Sequence, residues 1–329
     1  MKIFVTGGAG YIGSAATAHF LQAGHQVIVY DSLVKGHRAA VPADATFIEA
    51  DLSDSAALGA AFAAHQPDAV AHFAAFIEAG ESMRDPGAFF QNNVANSVNL
   101  LNTMMAHNVE RIVFSSTAAV YASKETPISE DDPLGPSNVY AESKLMIEKM
   151  LRWYHQVHGL RVCMLRYFNA CGAMLDEAGT ALRGEAHQPE THLIPITLQV
   201  ALGQREKLFI FGSDYPTRDG TCIRDYVHIE DLASAHVLAL DALAEHGCLT
   251  YNLGNGRGYS IREVVEVARS VTGHPIPAED AARRPGDPPA LVASSRRIQQ
   301  ELGWAPRYPE LEQIITTAWA WHRSHPNGF

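Results

Sequence analysis

The chain has 329 residues, 47% of them hydrophobic, with 25 Lys and Arg against 36 Asp and Glu and a formal charge of −11. That is core enough for one large α/β domain or two lobes, and the acidic balance argues against nucleic acid as a partner. No apolar run reaches membrane-span length. The N-terminus enters a strand directly, so no leader is expected. Cys163, Cys171, Cys222 and Cys248 lack C-x-x-C spacing, and they read as reduced thiols of a cytoplasmic protein. The pairs His155/His158 and His322/His325 have no acid or Cys at ligand spacing, so no metal is expected there.

Ile3–Val5 reads as a buried strand, followed by glycines at 7, 8, 10 and 13 and an alanine-rich helix from Tyr11 to Ala23. Gly8, Gly10 and Gly13 fit G-x-G-x-x-G, and Gly7, Gly10 and Gly13 fit G-x-x-G-x-x-G. Strand, bare turn and helix N-terminus together suit a pyrophosphate, with Gly7, Gly10, Tyr11, Ile12 and Gly13 as its cradle. The next strand, Gln26–Tyr30, ends in Asp31, 18 residues past Gly13. An acid there accepts from both ribose hydroxyls of NAD and repels a 2′-phosphate.

Thr46–Ala50 is a third strand. Asp51 and Leu52 after it are placed beside the adenine, with Asp51 either accepting from the base amine or helping to cap the helix Asp54–His65, a place for which Ser53 and Asp54 compete. Ala69–His72 is a fourth strand, and the small Ala74 and Ala75 let backbone pass close to the cofactor. A single long helix is predicted over Gly87–Asn108, carrying the cofactor candidate Asn93, and Arg111–Ser115 is the fifth strand. This alternation predicts a doubly wound parallel sheet whose ligands gather at the carboxyl ends of its strands.

Pro136–Tyr154 reads as a helix capped by Ser137 or Asn138. Tyr140 and Lys144 stand one turn apart on one face. A free tyrosine is a poor base at neutral pH. A nearby ammonium, together with the positive nicotinamide ring of NAD, is expected to lower its pKa so that it can exchange a proton with an alcohol. Thr117, at a strand end with Ser115, offers a further hydroxyl. Read alone, Y-x-x-x-K is equally an ordinary surface pair on an amphipathic helix.

The glycine turn, Thr117 and Tyr140-x-x-x-Lys144 together resemble the extended short-chain dehydrogenase/reductase superfamily, whose cofactor domain is Rossmann-type. In the second half, Leu165–Ala173, Thr191–Pro195, Ile210–Ala233, Tyr251–Gly256 and Arg283–Leu291 closely resemble the UDP-glucose 4-epimerase family. The resemblance covers essentially the whole chain. It implies an NAD-binding domain over 1–168, with a return contribution from about 222–250, and a smaller C-terminal UDP-sugar lobe over 169–329. It implies reversible C4 inversion between UDP-galactose and UDP-glucose on bound NAD, with Tyr140 as base, and a homodimer. In that pattern Tyr167 approaches the nicotinamide. Arg224 and Arg284 take the pyrophosphate, Asn169 a phosphate or sugar hydroxyl, the backbone at Leu193 and Phe209 the uracil, Asp287 its ribose, and Leu291 the pyranose.

The chain departs from the pattern in several places. Thr117 replaces Ser and keeps the hydroxyl; Ala122 replaces Gly, Ala170 replaces Pro, and Leu291 stands where some members carry an aromatic. Leu291 leaves room for a 2-acetamido group, so an epimerase for UDP-N-acetylhexosamines or UDP-pentoses is the alternative. A 4,6-dehydratase needs an acid/base pair after the strand-end hydroxyl, where this chain has Ala118 and Ala119. An NAD-responsive binding protein has no use for a base at Tyr140. For the dimer, apolar residues including Met104, Met146, Met150 and Leu151 are expected to extend a second stripe on the two long helices.

Overall fold

The computed structural model describes residues 1–124, 127–284 and 287–329. Seven strands form the main sheet: β1 (Lys2–Thr6), β2 (Gln26–Asp31), β3 (Thr46–Glu49), β4 (Ala69–His72), β5 (Arg111–Thr117), β6 (Arg161–Tyr167) and β7 (Cys248–Leu253). All pair in parallel, in the order β7-β6-β5-β4-β1-β2-β3. The order reverses at β1 and β4, and it is beside this switch that a doubly wound sheet opens its binding crevice.

Helices cover both faces because the strands are apolar on both. On one face α1 (Tyr11–Gln22) and α5 (Ile229–Ala242) bury Ala15, Phe20, Leu232 and Leu240 against Ile3, Val5 and Val29. On the other, α2 (Ser55–His65), α3 (Asn96–Ala106) and α4 (Val139–His158) bury Phe62, Leu100, Met104, Ile147 and Leu151 against Phe4, Ile112 and Met164. Met104 and Leu151 are fully enclosed in this core. They are therefore unavailable to an intersubunit stripe, and Met150 is partly taken up by the same core. The apolar residues left outside on these helices and the turn before α3 are Phe90, Met146, Trp153 and Val157.

The return segment joins the main sheet as α5 and β7. The first part of the expected return segment, Ile223–His228, instead pairs with Asn169–Cys171, Gly258–Ser260 and Ala290–Leu291 in a smaller sheet. Beside that sheet, helices Leu193–Ala201, Ile261–Thr272 and Leu311–Ser324 bury Leu198, Val264 and Ile315 together.

The predicted helix over Gly87–Asn108 is broken. Pro86–Phe89 leads into a π-turn over Phe90–Ala95, and only then into α3. The extra residue of a π-turn rotates the side chains around it. It carries Asn92 and Asn96 to the crevice wall, while Asn93 lies fully buried behind. Asp54, not Ser53, caps α2, accepting from Ala56 and Ala57 N–H. Asn138 caps α4 by accepting from Ala141 N–H.

Candidate active site

The crevice at the strand ends is lined on one side by Gly7, Gly10, Tyr11, Ile12, Gly13, Asp31, Asp51 and Leu52. Ala74, Ala75, Ser115, Thr117, Tyr140, Lys144, Tyr167 and Asn169 line the other.

The glycine turn is built for close approach. Gly7 has a φ of +72°, and a Cβ there would lie 2.5 Å from Ala74 N; a Cβ on Gly13 would lie 2.1 Å from Gly7 O. Gly10 is the N-cap of α1 and offers no side chain, so the first amides of that helix stay available to an anion. Asp31 is buried, with Oδ2 accepting from Ala9 N–H and Oδ1 from Leu33 N–H, both at 2.9 Å. Burial raises its pKa and these two amides pull it back. Each oxygen keeps a lone pair for a hydroxyl. Asp51 Oδ1 accepts from Ser53 N–H at 2.8 Å, which holds the carboxylate at the crevice rim. On the crevice wall, buried Asn96 Oδ1 receives no donor among the described residues. Bare helix amides, an acid at the end of β2 and a wall acceptor in need of a donor are the features NAD requires, and the site fits it.

Asn93 does not face that cofactor space. Its Oδ1 accepts from Phe76 N–H at 2.8 Å, and its Nδ2 donates to Phe76 O and Ser143 Oγ at 3.0 Å. It pins the segment after β4 to α4, because a buried amide must satisfy all its groups.

At the chemical end, Lys144 is buried and Tyr140 half-buried. The Thr117 hydroxyl favours the phenolate, yet burial wins and pushes Tyr140 up to about 12. Lys144 is pushed down to about 7 by burial alone. Its Nζ donates to Ser115 O at 2.8 Å and lies 4.9 Å from the centre of the Phe114 ring. Lys144 by itself does not depress Tyr140. Desolvation dominates both groups, and burial weakens the positive charge that Lys144 can lend the phenolate. A further positive charge brought by the cofactor is what this pair lacks.

Tyr167, at the end of β6, donates to His236 Nε2 at 2.5 Å, and His236 Nδ1 donates to Leu232 O at 2.8 Å. That buried pair was invisible in the sequence, since 69 residues separate its members. Glu148 was also missed, although it continues the Tyr140 and Lys144 face by one more turn. It accepts from Arg166 at 2.9 and 2.6 Å and from Ser116 Oγ at 2.6 Å, with Arg166 in turn donating to Tyr121 Oη.

The other predicted substrate residues do not line this crevice. Asn169 does, and its Nδ2 donates to Asp225 O at 2.9 Å, tying the crevice to the smaller sheet. On that sheet Arg224 lies beside Leu291 in register and 3.4 Å from Asp287 Oδ1, and it also donates to Pro288 O. Arg284 stacks 4.1 Å over Phe211, two residues from the exposed Phe209. Leu193 opens its helix with no side-chain cap, which leaves its N–H free to donate. Leu291 is half-buried against Ala118, Val120 and Phe168.

Residues 3–254 match the NAD dependent epimerase/dehydratase family. The chain belongs to that family. It is 53% identical over 331 residues to a UDP-glucose 4-epimerase of Halalkalibacterium halodurans, covering 100% of this chain and 98% of that one. A crystal structure of a UDP-glucose 4-epimerase superposes with a TM-score of 0.96 at 48% identity, over 100% of this chain and 99% of the other. The Bifidobacterium longum UDP-glucose 4-epimerase, solved with NAD+ and UDP, superposes with a TM-score of 0.94 at 36% identity over 100% of both chains. Membership accounts for the cradle beneath the crevice: in this family the cofactor is NAD. No helix among the described residues is long and apolar enough to cross a membrane.

Proposed function

We propose that the chain inverts C4 of a UDP-hexose, interconverting UDP-galactose and UDP-glucose. The observation that carries this reading is the meeting of Thr117, Tyr140 and Lys144 at the end of a crevice whose opposite wall suits NAD. Tyr140 takes the 4-hydroxyl proton, held toward it by the Thr117 hydroxyl, and returns it after the sugar has turned its other face. Bound NAD supplies a hydride acceptor that gives the hydride back, so no net oxidation occurs. Lys144 fixes the strand end through Ser115 O and is within the same pocket for the nicotinamide ribose. Arg224, Arg284 and Asp287 hold the UDP, with Asn169 and the backbone at Leu193 and Phe209. Gripping the substrate so far from C4 supplies binding energy while leaving the pyranose free to rotate.

In this reading residues 1–168 with 229–253 bind NAD, and the remainder forms the UDP-sugar lobe. The protein is cytoplasmic, consistent with its free cysteines. Purified protein is expected to convert UDP-galactose to UDP-glucose with no cofactor added, and to release NAD(H) on denaturation. A requirement for added cofactor, a content of NADP, or no turnover overturns it.

The active species is a homodimer, formed by α4 and the π-turn segment, where Phe90, Val94 and Met146 line one shallow apolar face. Light scattering is expected to give twice the chain mass, and a monomer at working concentration contradicts it.

One observation favours a wider substrate range. Leu291 packs against the apolar cluster that contains Ala118, the neighbour of Thr117. Its short side chain leaves space that an aromatic would fill. Turnover of UDP-N-acetylglucosamine is expected in the wild type and lost in Leu291→Tyr, with UDP-glucose turnover kept. Bulk of this kind discriminates by about 1–3 kcal/mol per methylene-sized difference, and a full ring exceeds that. Absence of wild-type activity on the acetamido sugar ends this part of the reading.

A further inference from the structure

Residues 184–192 form a strap whose Glu185, His187 and His192 line the same crevice. The strap is tied to three places distant in sequence. His37 Nε2 donates to Ala186 O at 3.1 Å, on the loop after β2. Trp321 Nε1, from the C-terminal helix, donates to Glu185 O at 3.0 Å. Tyr11, at the start of α1, meets the His187 ring edge-on at 6.1 Å.

Four side chains converge within it: Glu185, His187, Glu190 and His192, with one ligand atom of each lying within 4.8 Å of the others. The two carboxylates crowd one imidazole donor, although Glu190 Oε1 also accepts from Thr191 N–H at 2.7 Å and His192 N–H at 2.8 Å. His192 Nδ1 carries at most one hydrogen, yet Glu185 Oε1 lies 2.7 Å and Glu190 Oε1 2.8 Å from it. Glu185 Oε1 also lies 3.0 Å from His187 Nδ1. Both carboxylates are buried, at 5% and 9% exposure. Two buried carboxylates side by side repel unless a proton or cation stands between them.

We propose that Glu185, His187, Glu190 and His192 bind one divalent transition-metal ion of the zinc class. Two imidazoles and two carboxylates make a mixed nitrogen and oxygen set that suits zinc better than calcium or magnesium. Four protein ligands make a closed, structural site rather than a catalytic one. Bonds of about 2.0–2.2 Å in a tetrahedron set ligand atoms about 3.3 Å apart, so the four groups draw inward around the ion. His192 is the exposed member and the side from which the ion enters. The ion fastens the strap, and with it the contacts to Tyr11, His37 and Trp321. Closely spaced histidine pairs do not reveal this site. Here the ligands follow E-x-H-x-x-E-x-H, and the fold of the strap supplies the convergence.

The inference stands apart from the epimerase reading, because metal content is measured without turnover. Holoenzyme stripped with a chelator is titrated with Co2+, and a single equivalent with the intense visible absorption of a four-coordinate site is expected. Zn2+ should displace it and raise the melting temperature of the wild type. His187→Ala and Glu190→Gln, checked for folding by circular dichroism and retained NAD, should each lose the absorption and weaken metal uptake at least tenfold. Lack of saturable uptake of Co2+ and Zn2+ at micromolar concentration by the wild type overturns the site. So does uptake that both variants leave unchanged, and the cluster is then a plain imidazolium–carboxylate network.

Discussion

Tyr140→Phe is expected to lower kcat for UDP-galactose by about 10²–10⁴-fold, the usual worth of a positioned acid or base. UDP affinity should stay within a factor of about two, because the change removes one oxygen and no packing volume. The pocket explains the size of the loss. Lys144 is committed to Ser115 O, and among the described residues no carboxylate or imidazole hydrogen-bonds the phenol to take over the proton. Burial holds the Tyr140 phenol near 12 in the chain by itself. An added positive charge favours the phenolate and lowers that value. The pH profile of kcat should therefore rise through a limb below pH 12 that Tyr140→Phe abolishes. A coupled assay across pH and calorimetric titration with UDP measure both quantities. Near-wild-type turnover in the variant removes Tyr140 from the chemistry.

Glu148→Gln and Arg166→Met are each expected to destabilise the protein by about 3–5 kcal/mol, since breaking a buried pair strands the remaining charge. The two side chains are only 1% and 2% exposed and share two hydrogen bonds. Their partners spread the damage. Ser116 Oγ loses its acceptor in Glu148→Gln or keeps a weaker one, and Tyr121 Oη loses a charged donor in Arg166→Met. Replacing both members by apolar residues should cost less than either single change, because no charge is then left unpaired. Urea unfolding of the two singles and the double variant measures this. Single variants shifted by no more than about 0.5 kcal/mol, the range of a surface substitution, would show that water reaches the pair.

The order of strands and helices was legible because it is written in short-range pattern. The apolar runs of β1, β2, β4 and β5, the glycine turn into α1, and Asp31 at the end of β2 depend on residues close in the chain. Tyr140 and Lys144 could be put on one face of α4 for the same reason, since helix geometry alone relates positions four apart. The resemblance of the second half to UDP-glucose 4-epimerases named residues such as Arg224 and Asp287 that spacing could not have chosen. The direction of individual side chains was decided by packing. One extra residue in the π-turn sent Asn93 to Phe76 and Asn96 to the crevice, a difference no hydrophobic period encodes. Met104 and Leu151 went into the core because α3 and α4 press on the sheet from the side that buries them. Lys144 found Ser115 O, Tyr167 found His236, and Glu148 found Arg166, each across elements that only the closed sheet brings together. Such contacts join residues far apart in the chain, and their energies come from burial in a shared interior. Tertiary structure alone therefore set the pKa of the base and gathered the carboxylates and imidazoles of the strap.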